Sequence, residues 1–431
     1  MATQSISMPI RLPRANVCPD IAEKARRSAW VDRLAPFHVM FVVILLSQSI
    51  EAFVARNVSF GLMGKMTLGF TVIALLVSVG PAILFRLRTF LFTIWVNGMF
   101  QFYSLIALAS TYWSIAPSET LKTALTLIGF HMTGTALASM YSWRAIWKGI
   151  AWGLLFLAFV GVLIIPHDGL ADAVHVGAFR GLWLEKNATG EALGIGAIAC
   201  VVVAIADRNP KYFLGVFFLL ALIVFARAAG ALATSVVAIS FCVFIESIRR
   251  GPFRFFMGSW LACVVVVSVV VVIAAMGAEA TSLIGRDTTL TGRTAIWPVV
   301  IDFIKQKPWF GYGFQAFWIE GSETMTRVEM RAQFEAFNAH NSFFELMLGF
   351  GLVGSVFVWG AVARSMWQSS TALYGGNDAR RFALPFFIYG IALSMSESML
   401  GDSAGMSAFV LGILVPRVAL GNALAKGHFK G

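Results

Sequence analysis

The sequence predicts an all-α polytopic membrane protein with about 12 transmembrane helices, on three observations. Apolar residues make up 58% of the 431-residue chain and charged residues only 13%. An ordinary water-facing chain carries about 25% charged residues. Apolar runs of near-spanning length recur along the whole sequence, and basic residues gather in alternate connections between them.

In chain order the runs lie near 37–55, 66–85, 89–109, 119–140, 146–165, 189–206, 212–226, 228–247, 255–276, 341–363, 382–396 and 404–420. About 20 residues span the hydrocarbon core as helix. The runs at 212–226 and 382–396 are short for this. Lys and Arg are retained on the cytoplasmic side, which sets orientation. With the N-terminus inside, each predicted inner connection carries at least two: Arg86 and Arg88, Arg144 and Lys148, Arg208 and Lys211, Arg249 and Arg250, Arg380 and Arg381. Both tails, 1–36 and 421–431, are then cytoplasmic, and the net charge of +11 reads as membrane sidedness rather than nucleic-acid binding.

The chain thus divides into helices 1–9 over 37–276, with a short outer loop near 166–188, a large outer loop over 277–340, and helices 10–12 over 341–420. The tail before Pro36 has no apolar stretch with a small-residue cleavage site, so no removable signal peptide is expected. Cys18 lies in that tail and Cys200, Cys242 and Cys263 lie in apolar runs, so no disulfide framework is expected. Within the large loop, Ile296, Val299, Val300, Phe303 and Ile304 recur at helical spacing. This predicts an amphipathic helix over 295–306 lying on the outer membrane surface. The aromatic, glycine-punctuated turn Trp309-Phe310-Gly311-Tyr312-Gly313-Phe314 follows at interface depth.

Cations on the outer side oppose the retention bias, so each invites a reason. Arg227 sits between two apolar runs with Asp207 and Glu246 as its nearest acids in sequence, about 30 Å away along a helix. It is either a snorkelling interfacial side chain or a fork of donors for a phosphate or carboxylate. Arg293 precedes the amphipathic helix, where free N–H groups and the positive dipole end favour an anion; pairing with Asp287 is the plainer alternative. His340, in Asn338-Ala339-His340-Asn341, closes the large loop at a membrane entrance. It is a structural histidine or a general base suited to neutral pH, with Asn341 placed to hold its ring or an acceptor sugar. Arg180, Lys186 and Asn187 form a second basic outer patch that Glu185 weakens, and Glu397 and Asp402 flank the last outer turn, where they can position an arginine.

There is no Asp-x-Asp pair, no His/Cys cluster at metal-ligand spacing and no Walker loop, so neither a metal nor a nucleotide cofactor is expected.

Together, Gly292-Arg293, Trp297, Pro308-x-x-Gly311-x-Gly313, His340-Asn341 and Gly349-x-Gly351-x-x-Gly354 resemble the shared motif of the O-antigen ligase and Wzy-type polymerase superfamily, and the chain as a whole has a general similarity to exopolysaccharide polymerases. The Trp113-Ser114 turn and Arg227 at a helix junction fit the same family, although Ala226 stands where many members carry Ser. The resemblance implies a metal-independent, membrane-embedded glycosyltransferase fold in a bacterial inner membrane, with the site facing the periplasm. It implies an undecaprenyl-pyrophosphate-linked oligosaccharide donor, a growing glycan or lipid A-core as acceptor, and chain-length regulator and export proteins as further candidate partners. It makes His340 the base and gives Arg227 and Arg293 to the pyrophosphate. Arg180, Lys186, Asn187, Asn341, Glu397, Trp309 and Tyr312 are then candidate donor or acceptor contacts, with Trp183 a further sugar platform.

Three activities compete. A polymerase joining repeat units is favoured, and a ligase moving finished glycan to lipid A-core uses the same donor chemistry. A transporter or flippase for polysaccharide precursors also has about 12 spans, but it predicts midplane charges and matching halves rather than charges gathered at outer loops.

Overall fold

The computed structural model describes residues 19–58, 62–164, 178–248, 293–333, 336–371 and 381–427, together with 253, 256–260, 263 and 379. Among them the chain is helical and without strand, the architecture of an all-α multi-pass membrane protein. Among the described residues seven helical stretches are long and apolar enough to cross a bilayer: Arg33–Arg56, Met63–Val96, Trp143–Ile164, Lys186–Asp207, Ala229–Ser247, Ser342–Thr371 and Met406–Ala425. The two short runs form the shorter apolar helices Tyr212–Phe225 and Leu384–Ser394. The predicted run at 255–276 falls almost wholly outside the described residues.

The helices are α1 (Pro19–Leu46), α2 (Ser49–Asn57), α3 (Met63–Val96), α4 (Gly98–Ala109), α5 (Pro117–Met140), α6 (Trp143–Ile164) and α7 (Lys186–Asp207). They continue as α8 (Tyr212–Phe225), α9 (Ala229–Ile248), α10 (Arg293–Gln306), α11 (Glu323–Ala332), α12 (Ser342–Thr371), α13 (Leu384–Ser394) and α14 (Met406–Ala425). Two boundaries differ from the sequence reading. Part of the expected tail is already helical, since α1 begins at Pro19. The expected loop at 86–88 is a backbone break at Arg86 (φ −143°) inside α3, and the predicted run at 89–109 is divided instead at Asn97.

In lipid, apolar side chains gain little by leaving one apolar solvent for another, so helices associate where small residues let backbones approach. Gly149 and Gly153, four apart on α6, face Val39 and Val43 of α1. At the α5–α14 crossing, a Cβ on Gly134 would collide with the backbone of Gly412. On α7, Gly190 meets Ala228 and Ala231, while Gly194 meets Ser235 and Tyr389. These contacts make α7 a buried central helix and fix where its first residues end.

The loop helices obey water-side rules. Ile296, Val299, Val300 and Phe303 of α10 are buried with Tyr312, Phe317, Val328 and Leu348 in a core of their own. Burying each such side chain is worth about 1.5–3 kcal/mol. The expected amphipathic helix is therefore present, and its apolar face is covered by protein. The cover includes α11, whose Ser322 caps it by accepting from Met325 N at 3.2 Å.

Candidate functional site

The glycines of the motif build a clamp. At Gly351 (φ +62°) α12 breaks, and the turn after α10 docks into the break. Backbone N–H groups of Tyr312 and Gly313 donate to the carbonyls of Leu348 (2.7 Å) and Gly349 (3.1 Å). Those of Leu352 and Val353 donate to Pro308 (2.8 Å) and Trp309 (3.1 Å). A Cβ at Gly311 (φ +66°) would strike Leu348 O and Gly349, and one at Gly351 would strike Trp309 and Phe310. Only glycine permits both the left-handed backbone and the approach. The Trp113-Ser114 turn locks the same loop, through Trp113 Nε1–H to Phe310 O (2.8 Å) and Ile115 N–H to Tyr312 O (3.0 Å).

That clamp fixes the start of α12, and His340 lies just before it. The backbone of Ala339 is held at both ends: its N–H donates to Glu345 Oε1, and its carbonyl accepts from Trp297 Nε1 at 2.9 Å. Glu345 also accepts from Trp318 Nε1 at 3.1 Å. His340 adopts φ +48°, and its N–H donates to Asn338 Oδ1 at 2.8 Å. Asn341 then caps α12, its Oδ1 accepting from Phe343 N (2.9 Å) and Phe344 N (3.3 Å).

The turn after α13 closes onto this segment. Asn341 Nδ2 donates to Met395 O (3.2 Å), Ser342 Oγ donates to Glu397 O (2.9 Å), and Ser342 Oγ accepts from Leu400 N (3.0 Å). Glu397 Oε2 lies 3.2 Å from His340 Nδ1 and 3.3 Å from Asn187 Nδ2 in the first turn of α7. A carboxylate at Nδ1 selects the tautomer with its proton there, which leaves the Nε2 lone pair free to accept another. Both side chains keep some exposure, 22% for His340 and 17% for Glu397. The His340–Glu397 pair thus lies at a protein surface.

Acids outnumber what the loops suggest in sequence. Burial, and then the facing carboxylates of Glu191, Glu345, Glu185 and Glu397, push Asp402 well above the usual carboxylate range. Glu191 is itself held by Ser407, whose hydroxyl and N–H both donate to its Oε1. Among the described residues there is no group of His, Cys, Asp or Glu arranged to hold a metal.

The structure sorts the predicted residues. His340, Glu397 and Asn187 form one hydrogen-bonded chain. Arg227 is exposed, at φ +53° between α8 and α9, and its neighbour Gly230 packs toward Ser396, next to Glu397. Arg293 opens α10, one turn before Trp297; its side chain lies outside the described residues. Lys186 opens α7 and is half-buried. Arg180 is half-buried and donates from Nη1 to Leu184 O at 3.3 Å. Trp309 is 61% exposed.

Three expected roles are corrected. Tyr312 is buried among Phe303 and Phe317, with Lys307 Nζ over its ring and its hydroxyl donated to Phe303 O, so its ring offers no platform to a sugar. Trp183 is buried and donates to Ser47 O. Asn341 accepts from the first turn of α12 through Oδ1 and donates to Met395 O through Nδ2, so its partners among the described residues are backbone groups and not the His340 ring. The brace by Glu345 was missed in sequence; its signal was an acid five residues after His340 in the first turn of an apolar helix.

Comparison with known proteins agrees with the motif. Residues 214–359 match the family model described as O-antigen ligase. The chain is also 25% identical over 273 residues to the exopolysaccharide production protein ExoQ of Rhizobium meliloti (strain 1021), across 59% of this chain and 61% of the relative. The match therefore spans about three fifths of that relative's length. The glycine clamp and His340 both lie inside the matched segment, so it is over residues 214–359 that the chain is similar to the O-antigen ligase family.

Proposed function

We propose that this chain is a glycosyltransferase that polymerises undecaprenyl-pyrophosphate-linked oligosaccharide repeat units into exopolysaccharide or O-antigen. In this reading it acts without a metal at the periplasmic face of a bacterial inner membrane, with both termini cytoplasmic. The observation that carries the proposal is the His340–Glu397–Asn187 chain beside a clamped Ala339 peptide. Nε2 of His340 takes the proton of the acceptor hydroxyl while its oxygen attacks the anomeric carbon of the donor. The new glycosidic C–O bond forms as the anomeric C–O bond to pyrophosphate breaks, with inversion. Such base catalysis is worth about 10²–10⁴-fold. Arg227 and Arg293 receive the negative charge that develops on the leaving pyrophosphate, and one such fixed donor is worth about 3 kcal/mol.

Similarity to an exopolysaccharide production protein favours the polymerase reading. The family description favours a second one, a ligase moving the glycan to lipid A-core. Purified protein incubated with a lipid-linked repeat unit, with and without lipid A-core, separates them. Lengthened lipid-linked chains mean polymerase and glycan on the core means ligase. No transfer in either mixture overturns both, and normal transfer by His340→Ala removes the assignment of His340 as the base.

A further inference from the structure

Two other arginines meet near this site without a counter-charge among the described residues. Arg56, near the end of α2, is half-buried and donates from Nε to Ala52 O (3.3 Å) and from Nη2 to Gly181 O (3.2 Å). Its Nη1 is buried and has no partner among the described residues. Arg180, the residue before Gly181, donates from Nη1 to Leu184 O, and its Nε is likewise buried without a partner. The two guanidinium charges lie within electrostatic reach of each other. Every acceptor given to either side chain is a backbone carbonyl; among the described residues neither has a carboxylate.

Like charges held together in partial burial are costly, and each leaves a donor unused. A multi-oxygen anion between them reverses both effects, because guanidinium forks match phosphate oxygens. The place is also right. Thr189 Oγ1, in the first turn of α7, donates to Arg180 O (2.7 Å), and Asn187 of the same turn reaches Glu397 and so His340. The N–H of Phe179 donates to Phe225 O (3.0 Å), which brings the Arg227 turn alongside.

We infer that Arg56 and Arg180 form a phosphate-binding site that takes the diphosphate headgroup of a lipid-linked substrate. This rests on the proposed glycosyl transfer and adds to it a recognition pair that reaches the base through α7. Arg56 lies at the end of the first span, in a part of the chain with no other assigned role.

The test is binding of farnesyl pyrophosphate, inorganic pyrophosphate and farnesol to the full-length protein in detergent, without turnover. Farnesyl pyrophosphate binding is expected, with Arg56→Gln and Arg180→Gln each weakening it about tenfold through loss of a charge-assisted fork. Farnesol should not bind. Should the Gln variants fail to fold, Arg56→Lys and Arg180→Lys carry the test, since a point charge replaces the fork. Wild-type affinity in the folded variants overturns the site, and equal affinity for inorganic pyrophosphate overturns its assignment to a lipid-linked molecule. Intact binding with no glycosyl transfer would instead count against the proposed activity alone.

Discussion

Glu397 Oε2 lies 3.2 Å from Nδ1 of His340, although 57 residues separate them and they belong to turns at opposite ends of α12 and α13. Ser342 and Asn341 hold the two turns together independently of the pair. Removing the carboxylate charge therefore need not move the ring.

Glu397→Gln should keep the protein folded and inserted, yet lower kcat for glycosyl transfer by about 10²-fold or more, because the tautomer is no longer enforced. KM for the lipid-linked donor should change little. The double variant with His340→Ala should be no worse than His340→Ala alone, since residues acting as one unit are not additive. Additive losses would show that Glu397 acts separately from His340.

The glycine clamp predicts a stability effect rather than a catalytic one. Gly311→Ala and Gly351→Ala each force a left-handed backbone on a residue with a Cβ and drive that Cβ into a facing main chain. Strain of this kind costs of order 1–3 kcal/mol before the clash is counted. Both variants should melt at lower temperature in detergent than Gly421→Ala, whose Cβ would meet nothing nearby. Equal melting temperatures would refute the clamp.

Much of this was legible in sequence wherever periodicity or charge bias carried it. The apolar positions predicted helix 295–306, and the structure has Arg293–Gln306. The residues of the motif were legible, but the work of its glycines was not, because backbone docking between 308–313 and 348–353 has no local periodicity. Helix α11 escaped because only Met325 and Val328 are buried in a charged run. A sequence shows Tyr312 and Asn341 as an aromatic and a polar group without their partners, which the fold supplies at Phe303 O and Met395 O. Glu345 and Arg56 were passed over because acids and bases inside apolar runs show their partners only after folding.

Glu345 and Trp297 grip the two peptides that flank the Ala339 Cα, and they should fail differently. Glu345→Gln replaces one of two acceptor oxygens with a donor, which then faces the Ala339 N–H or the Trp318 Nε1–H. A buried unsatisfied donor costs about 1–3 kcal/mol, so the melting temperature should fall. Trp297→Phe keeps the ring against Phe344 and loses only the bond to Ala339 O, about 1 kcal/mol. It should lower kcat several-fold with little change in melting temperature. A larger stability loss in Trp297→Phe than in Glu345→Gln would contradict this division.

Asp402 should make stability depend on pH in the direction opposite to a salt-bridged carboxylate. Burial, followed by the carboxylates of Glu191, Glu345, Glu185 and Glu397, raises its pKa in the folded protein. Below the unfolded-state pKa of about 3.9 the group is protonated in both states and has no effect on the balance. Above it the unfolded chain ionises freely while the folded one resists, so the folded state binds more protons and stability is lost as pH rises toward the folded pKa. Asp402→Asn removes that loss and keeps the shape. Its melting temperature should exceed wild type by more at pH 8 than at pH 4, measured by scanning fluorimetry in the same detergent. A gain that shrinks as pH rises would mean that Asp402 is held ionised by a cation, and the packing of acids around it would need another explanation.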